Sequence, residues 1–197
     1  MLDTVDITVS ALRIVVHKAL KAYDDHQLLA WLEDDEPILK TSAARELHTR
    51  PNDRSFERIC SLCQDKRHEN REVAAFVLGQ FGTPACPYAH KSFEILSNLL
   101  HDDYFEVQSA AISAIGQLAT LGHQPPRKLQ KRIVEFSDHP RPEIRQSVAY
   151  ALLSIRNKLV DPALEHLLDD EHVDVRDAAE FSVQARRELQ DASVPAK

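Results

Sequence analysis

One local pattern recurs five times along this chain at nearly constant spacing, and it constrains the fold more than any other feature. Each copy is an Ala-rich amphipathic stretch that follows an acidic segment end and a few turn residues. The five stretches are Leu39–Leu47, Asn70–Leu78, Val107–Ile115, Ile144–Leu152 and Val175–Val183. Their first residues lie 31, 37, 37 and 31 positions apart. A period of about 30–45 residues is typical of stacked supersecondary units, so the sequence predicts a helical solenoid.

Each Ala-rich stretch, here called helix B, is preceded by a second amphipathic segment, here called helix A. The predicted A helices are His26–Asp34, Ser55–Asp65, Lys91–Asp102, Lys128–Asp138 and Pro162–Asp169. All of them end in acidic residues, whose carboxylates can accept hydrogen bonds from the free N–H groups at the start of helix B. The apolar side chains of the third B stretch fall on one helical stripe. The pattern therefore predicts pairs of antiparallel helices.

The predicted fold is an all-α, α-α superhelix of the solenoid type, with five helix pairs and an N-terminal helix. Only four glycines are present, and most of the ten prolines fall where a helix should begin or end. We expect a single domain over residues 1–190, followed by a flexible tail at 191–197. Within it we expect an N-terminal capping unit at 1–23, with a helix over Thr4–Tyr23. The predicted repeats span residues 24–50, 53–83, 90–122, 126–158 and 161–190.

The charge balance bears on the class of partner. The chain carries a net charge of −7, with a sequence pI near 5.8. Because phosphate backbones are bound by clusters of Lys and Arg, we expect no nucleic-acid partner. The N-terminus is acidic and no apolar run is long enough to span a bilayer, so we expect a cytoplasmic protein without a membrane partner. An acidic surface is suited to steering a basic partner.

One equivalent position in each B helix lies off the apolar stripe. The repeat register resembles HEAT-repeat solenoids, whose B helices line the concave side, and this resemblance implies that the position faces that side. Its occupants are Arg45, Phe76, Ser113, Tyr150 and Phe181. Exposed aromatic side chains are frequent interface anchors, which makes this row the predicted partner-binding site. The predicted polar flank consists of Glu72, Gln80, Gln117, Gln146, Asp177 and Glu180. Alternatively, the aromatic rings pack between neighbouring B helices and stabilise the curvature.

A second periodic set has a structural interpretation. Arg71, Arg145 and Arg176 follow the Val or Ile position of their repeats, where Lys40 and Gln108 stand in the other two. In HEAT-repeat stacks such residues commonly pair with turn carboxylates of a neighbouring repeat, so the resemblance implies a ladder of this kind. The candidate carboxylates are Asp35, Asp103, Asp138 and Asp170. The alternative is an anion site.

The sequence offers little for metal or catalytic chemistry. Cys60, Cys63, Cys86 and His90 have the donors of a tetrahedral zinc site, but a Cys-x-x-Cys pair within a helix is also typical of a buried face. We therefore expect no metal and no cofactor. No Gly-rich phosphate loop and no nucleophile elbow are present, which predicts a protein that is not an enzyme.

The repeat register resembles the HEAT-repeat superfamily, particularly its short bacterial repeats of the phycobilisome-lyase type. Stretches Thr41–Leu47, Ala75–Gln80 and Phe93–Asn98 resemble HEAT-repeat immunity proteins encoded beside Rhs-type polymorphic toxins. That resemblance implies stoichiometric binding and neutralisation of a toxin domain in bacterial competition, with no catalytic residues. We expect a monomer or weak dimer when the partner is absent. The alternatives are a generic HEAT-repeat scaffold or regulatory subunit, and an enzymatic phycobilin-lyase-like subunit.

Overall fold

The computed structural model of this chain describes the backbone of residues 14–192 and the side chains of residues 14–189. These residues form five helix pairs preceded by α1 (residues 14–20). The A helices are α2 (Asp25–Trp31), α4 (Asp53–Leu62), α6 (Ala89–Leu99), α8 (Arg127–Glu135) and α10 (Asp161–Leu168). The B helices are α3 (Pro37–Leu47), α5 (His68–Leu78), α7 (Phe105–Thr120), α9 (Pro142–Leu152) and α11 (Val173–Ala192). The predicted all-α solenoid is confirmed.

The first four A helices each end three residues before the predicted end, because their acidic residues belong to the turn before helix B. The other main differences lie at the two ends of the described chain. Of the predicted helix Thr4–Tyr23, only the part from residue 14 onward lies within the described residues. The last helix continues to Ala192, two residues into the predicted tail, because its amphipathic pattern does not stop at the end of the repeat. Residues 193–197 of that tail lie outside the described residues. Short 3₁₀ turns, Phe136–Asp138 and Lys158–Val160, lie before and after α9.

The core runs continuously between the two helix layers, from Leu20 to Ala179. Consecutive B helices pack directly against one another through small residues. At Gly79 an added Cβ would lie 2.8 Å from the Cα of Ala114, and at Gly116 it would lie 2.6 Å from the Cα of Ala151. These distances are below van der Waals contact, so glycine at this register position sets how closely the B helices approach.

The B helices form the inner layer of the solenoid. They pack on one another far more extensively than the A helices do, which leaves α6 and α8 separated by a surface cleft. In a stack of paired helices, the layer whose members lie closer together is the shorter one and therefore lies on the inside of the curve. The B helices accordingly present the concave face, as the sequence predicted, and the A helices present the convex face.

The turns between helices A and B contain side-chain hydrogen bonds, but not the predicted ones to the first free N–H groups of helix B. The Oδ1 atoms of Asp34, Asp65, Asp102 and Asp170 each accept a hydrogen bond from the backbone N–H two residues on, at 2.8–3.0 Å. In the fourth repeat the acceptor is Nδ1 of His139, 3.2 Å from the N–H of Arg141. The bonds thus close the turn before helix B, as in Asx turns, rather than reaching the first helical N–H groups.

The predicted ladder exists for two arginines. Arg71 binds Asp102 with two hydrogen bonds of 2.7 and 2.8 Å, and Arg145 binds Asp170 with bonds of 2.6 and 2.7 Å. Each arginine lies one repeat before its carboxylate. Each also donates to backbone carbonyls of its own A–B turn, at positions five and six residues earlier. The guanidinium groups lower the pKa of Asp102 and of Asp170, chiefly through these hydrogen bonds. The ladder therefore joins successive repeats.

Three of the predicted carboxylates do not take part in this ladder. The partner of Arg71 is Asp102 rather than Asp103, because only Asp102 occupies the turn position that accepts the closing hydrogen bond. Asp35 pairs instead with Arg67 at 2.6 Å, on the surface.

The other exceptions lie in the fourth and fifth repeats. Asp138 pairs with His166 at 3.1 Å, since His139 occupies the turn position of that repeat. Arg176 makes the usual carbonyl bonds, to Asp170 and Glu171, but no carboxylate of the described residues lies within 4.0 Å of it.

Candidate functional site on the concave face

A cleft crosses the first three B helices, α3, α5 and α7. It brings together six of the predicted partner-binding residues: Arg45, Glu72, Phe76, Gln80, Ser113 and Gln117. Sequence reasoning missed further lining residues, among them Thr41, Glu69, Phe105, Glu106, Ser109 and Ala110. The predicted row therefore exists in this half of the solenoid as a continuous concave surface. Whether partners bind there stays a prediction.

Phe76 combines the two roles that the sequence left open. Its ring is half-buried and packs on His48, with ring centroids 5.1 Å apart. His48 is buried, its Nε2 has no hydrogen-bond partner among the described residues, and burial lowers its pKa to about 4. Its backbone carbonyl also accepts the N–H groups of Gly82 and Thr83 at 2.7 and 3.1 Å. Phe76 thus covers a structural histidine and still lines the cleft.

An acidic row marks the start of the B helices. Glu69, Glu106, Glu143 and Asp174 occupy the first turns of α5, α7, α9 and α11 at equivalent register positions. The signal was present in the sequence, but acidic residues in a first turn also stabilise the helix dipole and therefore do not by themselves indicate a site. Glu69 and Glu106 line the cleft.

Within the cleft, Glu72 lies in an unfavourable electrostatic environment. Desolvation, and then repulsion from Glu106, raise the pKa of Glu72. Arg67, at the same end, is engaged by Asp35 at 2.6 Å and lies 3.8 Å from Glu69. Lys40 and Arg45 also line the cleft, so a positively charged group on a partner is favoured locally, beside Glu72 and Glu106.

The remaining predicted residues form a second patch on α9 and α11. Tyr150 is 49% exposed and Phe181 is 58% exposed. Their rings meet edge to face, with centroids 6.1 Å apart. Gln146 is half-buried beside them, and Asp177 and Glu180 are exposed on α11. The structure thus separates the predicted row into a cleft with a half-buried phenylalanine and a patch with an exposed aromatic pair.

The cysteine set is not brought together. Among the described residues no group of three or more His, Cys, Asp or Glu side chains could hold a metal ion. Cys63 is buried, and burial raises the pKa of its thiol to about 12. Cys86 is buried in the turn after α5, where its sulfur lies 4.0 Å from Thr83 Oγ1. Cys63 and Cys86 are thus buried thiols, whereas Cys60 on α4 is half-buried.

No helix within the described part of the chain is both long and apolar enough to cross a membrane.

Comparison with known proteins agrees with this architecture. The chain is 28% identical over 172 residues to protein YibA of Escherichia coli K12, an alignment that covers 85% of this chain and 60% of YibA. The X-ray structure of the E. coli protein superposes with a TM-score of 0.72 at 26% identity, covering 92% of this chain and 66% of that one. This chain thus spans about 60% of the length of the curated relative that it matches.

Two more distant structures share the fold alone. One is the complex of CpcE and CpcF of phycocyanin lyase from Nostoc sp. PCC7120, with TM-score 0.64 at 16% identity, covering 81% of this chain and 97% of the matched one. The other is a designed armadillo repeat protein in complex with the peptide (KR)4, with TM-score 0.56 at 17% identity, covering 87% and 85%. The family model for HEAT repeats matches residues 26–116 and 93–184, and the chain therefore belongs to the HEAT-repeat family.

Proposed function

We propose that this protein binds another protein stoichiometrically through its concave face and is not an enzyme. The observation that carries the proposal is the exposed edge-to-face pair of Tyr150 and Phe181 on the inner helix layer. Two large aromatic rings on a solvent-exposed face contribute nothing to the core, whereas aromatic residues are enriched at the centres of protein interfaces. The cleft around Phe76 extends this surface over the first three repeats.

The electrostatics support a basic partner. The acidic row at the start of the B helices and the raised pKa of Glu72 both favour a cationic group beside the concave face. A net charge of −7 steers a basic protein toward this surface, with association that weakens as salt rises. The designed armadillo protein with a related fold is in complex with a Lys/Arg peptide, and CpcE and CpcF form a complex with each other.

We propose further that the partner is the toxin domain of an Rhs-type polymorphic toxin, which the protein neutralises in the cytoplasm as an immunity protein. This step rests on the resemblance of Thr41–Leu47, Ala75–Gln80 and Phe93–Asn98 to that immunity family. A toxin that acts on nucleic acid would bring a basic substrate surface, which the acidic concave face could cover. The second candidate is a scaffold without a connection to toxins. Membership of the HEAT-repeat family supports this role as much as it supports the immunity role.

The first experiment is a capture of the tagged protein from its native host, with identification by mass spectrometry of the proteins that survive a moderate-salt wash. We expect an Rhs toxin C-terminal domain at a one-to-one ratio, and titration calorimetry with the purified domain should give the same stoichiometry. Recovery of other proteins, with no toxin domain even when one is co-expressed, would contradict the immunity role and favour the scaffold. Absence of any stoichiometric protein partner would contradict the protein-binding role itself.

A further inference from the structure

A second cleft lies on the opposite, convex surface, between α6 and α8. One face of α6 contributes His90, Glu94 and Asn98, and α8 contributes Lys128, Lys131, Arg132 and Glu135. On each helix these residues are spaced three or four positions apart, so they share one helical face. The nearly buried side chains of Phe93 and Leu129 form the floor, and Pro126 forms one rim. The two A helices therefore form an open groove.

This groove carries the reverse charge of the chain as a whole. Of the lining residues, Lys128 and Lys131 are exposed, and neither has a carboxylate within 4.0 Å among the described residues. Lys91 and Arg127 are exposed on the same two helices but do not line the groove. The only acidic residues on these helices are Glu94, which lies 3.6 Å from His90, and Glu135, which pairs with Arg132 at 2.9 Å, so Lys128 and Lys131 are the unpaired lysines of the described groove lining. A local excess of cations on a chain of net charge −7 is an electrostatic feature that helix packing does not require.

Arg132 is held in place within the groove. Its guanidinium lies over the ring of Phe136, 5.0 Å from the centroid, while Nη1 binds Glu135 and Nη2 lies 3.5 Å from Nδ1 of His101. Its Nε is buried and has no hydrogen-bond partner in the described part of the structure. A fixed guanidinium loses little side-chain entropy when it binds a carboxylate, which favours recognition over a merely solvated charge.

We propose that the α6–α8 groove is a second binding surface, which takes an acidic polypeptide segment independently of the concave face. The exposed lysines supply charge complementarity to carboxylates, Arg132 offers a fixed donor, and the Phe93–Leu129 floor accepts an apolar side chain. A protein segment fits better than nucleic acid or an anionic membrane. A polypeptide can place separate carboxylates beside the lysines and an apolar side chain on the floor, whereas a continuous row of phosphates would also meet Glu94 and Glu135 inside the groove. The protein thus presents an acidic inner face and a basic outer groove.

The test measures fluorescence anisotropy of a labelled synthetic peptide with the repeating sequence Glu-Leu-Asp-Glu, titrated with the full chain. We expect saturable binding that weakens with salt. The double variant Lys128→Glu/Lys131→Glu should weaken it by about tenfold or more. The control Lys18→Glu/Lys21→Glu produces the same change in net charge on exposed lysines at α1, far from the groove in sequence, and should stay within about twofold of the parent. Phe181→Ala should leave peptide binding unchanged, which separates this site from the concave face.

Several results would overturn the proposal. One is the absence of saturable peptide binding by the parent chain. Another is an equal loss of peptide affinity in the groove variant and in its control. Displacement of the peptide by phosphatidylserine vesicles or by an oligothymidine at lower concentration than the unlabelled peptide would reassign the groove to a phosphate-bearing partner. If the parent chain sediments in a concentration-dependent way and the groove variant does not, the groove binds a second copy of this chain. Circular dichroism melting of each variant verifies that its fold is retained.

Discussion

Arg145 binds Asp170 of the following repeat with two parallel hydrogen bonds, 2.6 Å from Nε to Oδ2 and 2.7 Å from Nη2 to Oδ1. Arg71 and Asp102 repeat this geometry two repeats earlier. At the step between these two pairs, both members of the arginine–aspartate pair are replaced. Gln108 replaces the arginine, and the next turn position holds His139 rather than aspartate. Both sides of the pair change together, so neither an arginine nor a carboxylate is left alone.

Arg145→Gln should destabilise the protein by about 2–4 kcal/mol, because it leaves the nearly buried Asp170 carboxylate unpaired and removes two bonds to turn carbonyls. Urea unfolding at pH 7 measures the loss. The double variant Arg145→Gln/Asp170→His copies the natural Gln108 and His139 combination and should recover part of it. A loss below about 1 kcal/mol in the single variant would show that the Arg145–Asp170 pair contributes little to the free energy of unfolding.

His48 should make the free energy of unfolding depend on pH between ~4 and ~6.5, a range above the one in which carboxylates usually titrate. Its folded-state pKa is lowered to about 4 by burial, from an unfolded value near 6.5. The unfolded chain therefore binds a proton that the folded chain excludes, so the stability contribution is complete above pH ~6.5 and declines as pH falls toward ~4. The decline amounts to roughly 3 kcal/mol. His139, whose pKa is also lowered by burial, adds to it in the same direction.

Urea unfolding of the parent and of His48→Gln across that pH range isolates this contribution. The variant should be less stable at pH 7 and should show a flatter profile between pH ~6.5 and ~4. The exposed histidine variant His90→Gln serves as the control and should keep the parent profile. An unchanged slope in His48→Gln would show that its burial does not govern this window.

Gly116→Ala should destabilise the solenoid by about 1–3 kcal/mol, since the new methyl would lie 2.6 Å from the Cα of Ala151 and must push α7 away from α9. Thermal melting detects the effect. Ser113→Ala, one turn earlier on the same helix and exposed to solvent, is the matched control and should melt within a few degrees of the parent. Equal melting of the two variants would contradict the close helix approach.

The concave aromatic residues should differ in their response to truncation. Tyr150→Ala and Phe181→Ala remove exposed rings, so the melting temperature should change by only a few degrees while affinity for the captured partner falls by about tenfold or more. Tyr23→Ala removes a ring of similar exposure that packs on Trp31 of an A helix, and it should keep the affinity. Partner affinity unchanged in both concave variants would exclude the Tyr150–Phe181 patch from the interface.

Phe76→Ala should lower the free energy of unfolding by about 1–3 kcal/mol, because it uncovers His48. It should also lower the affinity for the partner. The combination of melting and binding measurements therefore distinguishes the half-buried residue of the row from the two exposed ones. A variant that binds the partner normally yet melts early would assign Phe76 to the core alone.

Much of the architecture was predictable from local pattern. The 31- and 37-residue spacings, the Ala-rich stripes and the acidic turns determined the number of helix pairs and their order. The position of Arg71 and Arg145 in helix B also predicted a ladder, but the predicted partner Asp103 was wrong, since Arg71 binds Asp102. Two adjacent aspartates have the same chemistry, and only the turn geometry decides which of them points back toward the preceding repeat.

The sequence by itself determined the repeat, the helix pairing and the face on which the aromatic row lies, because these follow from periodicity along one chain. Only the tertiary structure decided which members of the row remain accessible. Phe76 and Phe181 occupy equivalent register positions, yet one covers His48 and the other is open to solvent. The same holds for the groove residues of α6 and α8, which are 30 or more positions apart in the chain and share a groove because the outer helix layer is spread by curvature.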